Sequence, residues 1–308
     1  MNSYLYEFLN AYWLRPETAL WRTVDVLTMS KVKFYGKSLD FGCGDGVFSF
    51  IRAGGTFKES FDVFQGAGQL DKFYENIDVY DHSLTKHIVT NKSPSYRINV
   101  GFDHKQTLLN KAKKLSFYDE LILGDGNDKL PFNDNEFDTV FSNIVYWLDN
   151  LPSVLSELSR VLKPGGNIFL MLLDKNFVQS SYYYNYQVRN KVEGFEFLKL
   201  LDRGRVSSNI KISRTSDEWR DEITKSGLNI IEHKKHLSQR LLSIWDVGFR
   251  PIFPALAKAT NKMSNEQRQE FKSDLINILK MYCEPLIDLE KTREDDNKGF
   301  HFFHLSKQ

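Results

Sequence analysis

The sequence predicts an α/β fold built on a doubly wound, parallel β-sheet. Three observations support this prediction. β-prone segments alternate with helical ones over residues 36–174, a glycine-rich turn directly follows the first strand, and the segment 167–173 is almost continuously apolar. Alternating strands and helices are typical of parallel sheets. An apolar strand is typical of the interior of such a sheet, where both of its faces are buried.

The core elements follow one another in a regular order. Predicted strands lie at 38–41, 96–102, 120–123, 137–143 and 167–173, and predicted helices at 47–52, 108–115 and 151–162. Lys163-Pro-Gly-Gly166 is typical of a helix end, so the last of these helices is predicted to stop there. The stretch 53–95 has no regular pattern and is predicted to be an insertion or a lid.

Both ends of the chain predict mainly helical structure. Residues 1–36 indicate helix because Leu20, Val24 and Leu27 share a helical face and Pro16 suits a first helical turn. After Asp174 the alternation stops. The later predictions are a helix at 215–226 capped by Thr215 or Ser216, a strand at 228–232, mostly helix over 237–283, a solvated charged loop at 290–298, and a last β-prone segment at 300–305 that carries His301 and His304.

Composition excludes several classes of protein. The 308 residues carry 41 basic and 40 acidic side chains, a balance that argues against general nucleic-acid binding. Two cysteines cannot form a disulfide framework, and neither a secretory signal nor a membrane span is apparent, so a cytoplasmic location is expected. Aromatic residues make up 14% of the chain, which favours an aromatic core or an aromatic-lined pocket. The sequence leaves the oligomeric state open.

The segment Leu39-Asp-Phe-Gly-Cys-Gly-Asp-Gly46 carries the strongest chemical signal. Glycines at a strand-to-helix turn allow the backbone to approach a ligand closely. The spacing is G-x-G-x-G, whereas a dinucleotide fingerprint has G-x-G-x-x-G. Acids at Asp40 and Asp45 would repel a pyrophosphate, but they suit a ligand that carries a positive amino group.

With this loop and the segments that follow it, the chain resembles the class I S-adenosylmethionine-dependent methyltransferases of the small-molecule, type 11-like branch. The resemblance covers about residues 36–174. It rests on the glycine loop, on Asp103 at the end of the second strand, and on Gly124-Asp-Gly126 after the third. It also rests on Leu130-Pro-Phe132, the strand at 137–143, and Arg160-Val-Leu-Lys-Pro-Gly-Gly166. It implies a Rossmann-like sheet of seven mostly parallel strands with a mainly helical cap.

The resemblance also implies a cofactor, S-adenosyl-L-methionine, and the residues that hold it. Asp40, Gly42 and Gly44 would hold its amino-acid end, Asp103 its ribose hydroxyls, and Asp125 with Gly126 its adenine. Ser142 and Asn143 would line the cleft. The implied organisation is an N-terminal helical segment (1–35), a cofactor-binding core (36–174) with an insertion (53–95), and an acceptor-side cap that also supplies the terminal strands (175–308).

Two features depart from the family pattern. The interval from Gly42 to Asp103 is about three times the ~20 residues usual for such a βα unit. The segment after Asn143, where this branch often carries a histidine, reads Ile-Val-Tyr146-Trp147. His82 and His87, in the insertion, are therefore the candidate general bases. No metal site is predicted, because no histidine pair has a zinc-like spacing with a third partner.

The acceptor is expected to be a small molecule. Tyr146 and Trp147 are candidate walls of its site, against an equal expectation of ordinary core packing. Tyr183 and Arg203 are further candidates, because tyrosines stack on sugars and arginines bind phosphates, and the alternative for this region is a packed helical cover with solvated arginines. O-methylation of a sugar or surface-glycan intermediate is the preferred hypothesis. The alternatives are an N- or C-methyltransferase of another metabolite and a non-catalytic protein that binds S-adenosylmethionine.

Overall fold

The computed structural model describes residues 3–64, 88–202, 204–292 and 297–307. The strands are β1 (Ser38–Phe41), β2 (Thr56–Phe57), β3 (Thr90–Lys92), β4 (Ile98–Asp103), β5 (Tyr118–Leu123), β6 (Phe137–Ser142), β7 (Leu162–Leu173), β8 (Leu228–His236) and β9 (Phe300–Lys307). The helices are α1 (Ser3–Ala11), α2 (Pro16–Thr28), α3 (Val47–Arg52), α4 (Gln106–Lys114), α5 (Leu151–Val161), α6 (Lys175–Gln179), α7 (Phe197–Asp202), α8 (Arg205–Ile212), α9 (Ser216–Lys225), α10 (Gln239–Ser243), α11 (Phe253–Thr260) and α12 (Asn265–Thr292).

Seven strands form one sheet in the order β5-β4-β1-β6-β7-β9-β8. The first five pair in parallel, and β9 runs antiparallel to both β7 and β8. The prediction of a doubly wound, mostly parallel, Rossmann-like sheet of seven strands is therefore confirmed. The strand order reverses between β1 and β6, and in sheets of this kind ligands bind beyond the carboxyl ends of the strands at such a reversal.

The core follows from the apolar patterns of the strands and of α5. Leu155 and Leu158 of α5 are fully buried against the sheet, and Leu170 and Leu172 of β7 pack in the same cluster. The predicted burial of β7 on both faces is confirmed. The strand begins earlier than predicted, however, because α5 ends at Val161 and Leu162 already pairs with Phe137. Residues 163–166, predicted to end the helix, are thus part of a bulged strand.

The N-terminal segment forms two helices rather than one, with Pro16 at the start of α2 as predicted. Between them, the buried indole of Trp13 donates to Asp62 Oδ1 (2.9 Å), and Asp62 Oδ2 also pairs with Arg268 Nε of α12 (2.7 Å). One carboxylate therefore ties together the N-terminal segment, the start of the 53–95 stretch and the long C-terminal helix. Within that stretch, the short strands β2 and β3 form an antiparallel pair. The stretch was predicted to be irregular, and the prediction is wrong for these two strands.

The C-terminal part contains the predicted helix α9, which Thr215 caps through a capping box with Glu218. Strand β8 continues to His236, four residues beyond the prediction, because it pairs with β9 along its length. Helix α12 extends to Thr292, so the prediction of a loop beginning at residue 290 is wrong there. Ile287 is buried in the core on this last part of the helix, which explains why helix persists into the charged run. His301 and His304 lie on β9, as predicted.

A helix that crosses a membrane needs a long apolar stretch, and none of the helices in the described ranges has one.

Candidate active site

The glycine loop after β1 is held against the neighbouring strand β4. The backbone N–H groups of Gly42 and Cys43 both donate to the carbonyl oxygen of Phe102, at 2.8 and 3.0 Å. Gly42 has φ +80°, and a Cβ atom placed on it would lie 1.9 Å from Cγ1 of Ile144. A side chain at position 42 is therefore excluded by both the backbone conformation and the packing.

Asp103 and Gly44 meet where β4 ends. The Gly44 N–H donates to Asp103 Oδ2 and the Lys105 N–H donates to Asp103 Oδ1, each at 2.9 Å. The carboxylate is 7% exposed. Each oxygen of a carboxylate has capacity for a second hydrogen bond, so this group can still receive two hydroxyl donors. A Cβ on Gly44 would meet nothing nearer than Leu108 at 4.0 Å, which leaves space in front of the loop.

Asp40 lies behind the loop rather than in front of it. Its side chain is 2% exposed, and Oδ2 accepts from Ser49 Oγ (2.6 Å) and from the phenol of Tyr118 (2.7 Å). Burial raises the pKa of Asp40 from 3.8 to about 6, although both hydroxyls oppose the rise. This geometry supports a role in fixing β1 to α3 and β5. The contact with a cofactor amino group stays a prediction.

The remaining predicted cofactor residues lie along the same sheet edge. Asp125 is exposed, and its Oδ1 accepts from the backbone and the side-chain amide of Asn127. Gly126 is buried, and a Cβ there would meet the ring of Phe41 at 2.7 Å. Ser142 is fully buried and accepts from the Ile144 N–H, and Asn143, the next residue, is half-buried. The fold thus brings all eight predicted cofactor residues to the ends of β1, β4, β5 and β6.

A cavity of about 320 Å³ opens at the same edge of the sheet, beside the turn that follows Asn143, and none of the eight predicted cofactor residues lines it. Tyr146 and Trp147, in the turn after β6, line one side of it, and Leu173 and Phe300, at the ends of β7 and β9, line another. Its remaining walls come from helices and from the turn at 244–249: Arg15, Thr18, Trp21, Arg22, Phe177, Arg205, Asn209 and Trp245. The cavity is therefore at the ligand-binding edge of the sheet, with aromatic and arginine side chains around it.

Burial sets the chemistry of the cavity wall. Burial raises the pKa of the Tyr146 phenol to about 12, so this group is a neutral hydrogen-bond donor near pH 7. The rings of Trp21 and Trp245 lie at a steep angle to each other, 5.0 Å apart, and both face the cavity. Within the described ranges, the buried amide oxygen of Asn209 has no hydrogen-bond partner. An unsatisfied acceptor on a cavity wall favours a ligand that donates a hydrogen bond.

The structure places the predicted acceptor-site residues in different positions. Tyr146 and Trp147 line the cavity. Tyr183 packs against the core and is not part of the cavity wall. Arg203, His82 and His87 lie outside the described residues. His104, beside Asp103, is exposed, and its Nδ1 lies 3.6 Å from Asp103 Oδ1. In the described ranges, no group of three or more His, Cys, Asp or Glu side chains could hold a metal ion.

Sequence reasoning missed the contribution of helix α2 and the segment just before it. Arg15, Trp21 and Arg22 belong to a stretch that was predicted only as helical, and the apolar positions recognised there lie on a different face. One signal was available. Thr18 is three residues from Trp21 and four from Arg22, so these three side chains share a helical face that differs from the face of Leu20 and Val24.

Comparison with known proteins finds a match to one family. Residues 88–170, which run from just before β3 to within β7, match the methyltransferase domain family. This part of the chain is therefore similar to a methyltransferase domain. The matched segment includes Asp103, Asp125 and Asn143, and begins after the glycine loop, which is therefore assigned from its place between β1 and α3.

The individual relatives match only part of this chain. A malonyl-[acyl-carrier protein] O-methyltransferase of Erwinia pyrifoliae is 39% identical over 72 residues, which are 23% of this chain and 27% of that protein. A demethylmenaquinone methyltransferase of Staphylococcus saprophyticus is 43% identical over 75 residues, 23% of this chain and 31% of that protein. An uncharacterized protein of Methanocaldococcus jannaschii is 28% identical over 141 residues, which are 42% of this chain and 65% of that protein. The chain spans less than two thirds of each of these relatives.

Among solved structures, a S-adenosylmethionine-dependent methyltransferase from Thermotoga maritima, a possible histamine N-methyltransferase, aligns with a TM-score of 0.46 and 14% identity. The alignment covers 93% of this chain and 89% of that one.

Replacing Asp103 in the methyltransferase domain tests its part in cofactor binding. Asp103→Ala is expected to weaken binding of S-adenosylhomocysteine by ~1–3 kcal/mol, because charge-assisted hydrogen bonds to two ribose hydroxyls are lost. Calorimetric titration measures this effect. Asp103→Asn is the matched comparison, since an amide oxygen can still accept from the Gly44 N–H and keep the loop in place. A dissociation constant unchanged in the alanine variant would contradict the assignment.

Proposed function

We propose that this chain transfers the methyl group of S-adenosylmethionine to a small acceptor bound in the cavity beside Tyr146. The observation that carries the proposal is the position of this cavity. It opens at the turn after β6, at the same sheet edge as the glycine loop and Asp103. The match of residues 88–170 to a methyltransferase domain family gives independent support.

The chain's own residues would bind and orient the two reactants. Gly42 and Gly44 would let the loop backbone approach the amino-acid end of the cofactor, and Asp103 would accept from the ribose hydroxyls. When bound, S-adenosylmethionine supplies a methyl group activated by a positively charged sulfur. What the protein then contributes is position, because holding the acceptor atom in line with the methyl group lowers the entropy cost of the reaction. Tyr146, which keeps its proton, would position the acceptor as a donor.

We further propose that the acceptor atom is an oxygen of a sugar or surface-glycan intermediate. The ring of Trp21 offers an apolar surface against which a sugar can pack, and the amide oxygen of Asn209, which has no hydrogen-bond partner in the described part of the chain, can accept from a sugar hydroxyl. Methylation of a hydroxyl also requires a base. His82 and His87 remain the proposed bases. None of the described residues that line the cavity is a histidine, an aspartate or a glutamate.

The experiment has a binding part and a catalytic part. S-adenosylmethionine is expected to bind in a calorimetric titration and NAD is not. A set of sugar and sugar-phosphate acceptors is then screened for a gain of one methyl mass. For an acceptor that reacts, Asn209→Ala should raise KM without weakening binding of S-adenosylhomocysteine, since Asn209 Oδ1 has no hydrogen-bond partner among the residues that the structure describes. Absence of S-adenosylmethionine binding by the folded protein refutes the proposal. Binding without methylation of any acceptor favours a non-catalytic binding protein.

A further inference from the structure

Three arginines line the acceptor cavity, and each is held by a buried carboxylate. Arg15 Nε lies 2.7 Å from Glu17 Oε1, Arg22 Nη1 lies 3.2 Å from Asp25 Oδ2, and Arg205 pairs with Asp246. Glu17, Asp25 and Asp246 are all buried. Because these carboxylates lie behind the cavity wall, they fix the guanidinium groups without filling the cavity.

The position of Arg22 is set by a chain of contacts that crosses from the helix to the sheet. Asp25 is 1% exposed, and while its Oδ2 holds Arg22, its Oδ1 lies 3.0 Å from Nε2 of His236 in β8. His236 is also buried. The carboxylate of Asp25 raises the pKa of Arg22, although burial opposes this effect. The guanidinium is therefore a fixed, charged group rather than a mobile surface side chain.

Arg205 is fixed in a similar way. Its guanidinium stacks over the ring of Trp245 at 4.3 Å from the ring centre and pairs with Asp246, which also accepts from the backbone N–H of Tyr182. Burial and the nearby positive charge of Arg15 lower the pKa of Arg205, while Asp246 opposes them. Two like charges from distant parts of the chain are thus held close together on one cavity wall.

Arginines held close together can bind a negatively charged ligand through the donors that their ion pairs leave over. A guanidinium has five N–H donors. Arg22 pairs with Asp25 through Nη1, and Arg205 pairs with Asp246 and Asp202 through Nη2, so each retains other N–H groups for a ligand. A carboxylate ligand is fully engaged by one bidentate arginine, whereas a phosphoryl group has three terminal oxygens and close to two negative charges. Three arginines around one cavity therefore match a phosphoryl group better than a carboxylate.

We propose that this cavity binds a phosphoryl group of the acceptor through Arg15, Arg22 and Arg205. The identity of the acceptor as a phosphorylated sugar rests on the proposed function, whereas binding of phosphate to the arginines can be measured without any methyl transfer. The phosphoryl group would fix one end of the acceptor between α2 and α8. The sugar ring would then lie toward Tyr146 and the glycine loop.

Thr18 gives a test that removes no ion pair. It lines the cavity one helical turn from both Arg15 and Arg22, in the first turn of α2, where a negative charge does not destabilise a helix. Thr18→Asn is the comparison, because asparagine and aspartate have nearly the same shape. Thr18→Asp is expected to bind inorganic phosphate at least about tenfold more weakly than Thr18→Asn, because the new carboxylate repels the anion and competes for both arginines. Calorimetric titration of the full chain with phosphate measures the difference.

A second pair of variants tests the arginines directly. Arg22→Gln is expected to weaken phosphate binding about tenfold or more, and Asp25 then retains His236 as a partner. Arg240→Gln is the control, since Arg240 is exposed and is not part of the cavity wall, and it should bind phosphate as the unaltered chain does.

Several results would overturn the inference: no saturable phosphate binding, equal affinities for the two Thr18 variants, equal affinities for the two arginine variants, or acetate competing as well as phosphate. S-adenosylhomocysteine is titrated separately. If it binds and phosphate does not, the proposed function survives and this inference fails. If phosphate binds in the cavity and S-adenosylhomocysteine does not, the proposed function fails and the phosphoryl site stands.

Discussion

Gly42→Ala is expected to destabilise the protein by about 2–5 kcal/mol. A left-handed backbone costs a residue with a Cβ atom roughly 1–2 kcal/mol, and Gly42 has φ +80°. In addition, the new Cβ would lie 1.9 Å from Cγ1 and 2.6 Å from Cδ1 of Ile144, so that side chain and the turn after β6 must move. Overpacking of this kind typically costs a further ~1–3 kcal/mol. Urea denaturation measures the change in the free energy of unfolding.

Gly44→Ala is the matched control two residues along the same loop. Gly44 also has a left-handed backbone, with φ +57°, but its Cβ would meet nothing nearer than 4.0 Å. The control should therefore lose only the roughly 1–2 kcal/mol of the backbone term. It should nevertheless weaken binding of S-adenosylhomocysteine, because its methyl group would occupy the space in front of the loop. Equal destabilisation by the two substitutions would contradict the packing argument.

This contrast between two glycines illustrates what the sequence could predict. The strand, the glycine loop and the helix α3 are consecutive in the chain, so local pattern alone placed the loop at the end of β1. The same holds for Asp103, which is recognisable because it ends an apolar strand, and for the burial of β7. The order of the strands and the position of the glycine loop depend on neighbours in the sequence, and they were predicted correctly, although the helix end placed at residues 163–166 was not.

The acceptor cavity could not be predicted in the same way, because its walls come from distant parts of the chain. Arg22 and Arg205 are ordinary surface residues by type, and nothing local indicates that Asp25 and Asp246 hold them toward one cavity. Thr215 at the start of α9 was predicted because a cap acts within one turn. The continuation of α12 through its charged end depends instead on the burial of Ile287, which sequence pattern alone does not reveal.

Asp40 combines both cases. Its place in β1 follows from the sequence, but its environment depends on Tyr118, which is 78 residues away. Burial has the largest effect on this carboxyl and raises its pKa to about 6, although Ser49 and Tyr118 both donate to Oδ2. A carboxylic acid that is costly to ionise in the folded state makes folding stability depend on pH.

The direction of this dependence follows from the two pKa values. Between 3.8, the ordinary value, and about 6, the folded state holds a proton on Asp40 that the unfolded state has released. The contribution of Asp40 to the free energy of unfolding is therefore fully present at low pH. It falls as the pH rises through this window and is lost above about 6. The difference between the two values corresponds to roughly 3 kcal/mol.

Asp40→Asn is expected to remove this part of the pH dependence. The amide cannot ionise, yet its oxygen can still accept from Ser49 and Tyr118. Between pH 7 and pH 4, the unaltered protein should therefore gain roughly 2–2.5 kcal/mol relative to the variant, measured by urea denaturation at each pH. Asp149→Asn, at an exposed position, is the control and should follow the unaltered protein. If the Asp40 variant shows the same pH dependence as the unaltered protein, the prediction is contradicted. The carboxylate would then ionise in the folded state as readily as in water, and another group would have to compensate its charge behind the glycine loop.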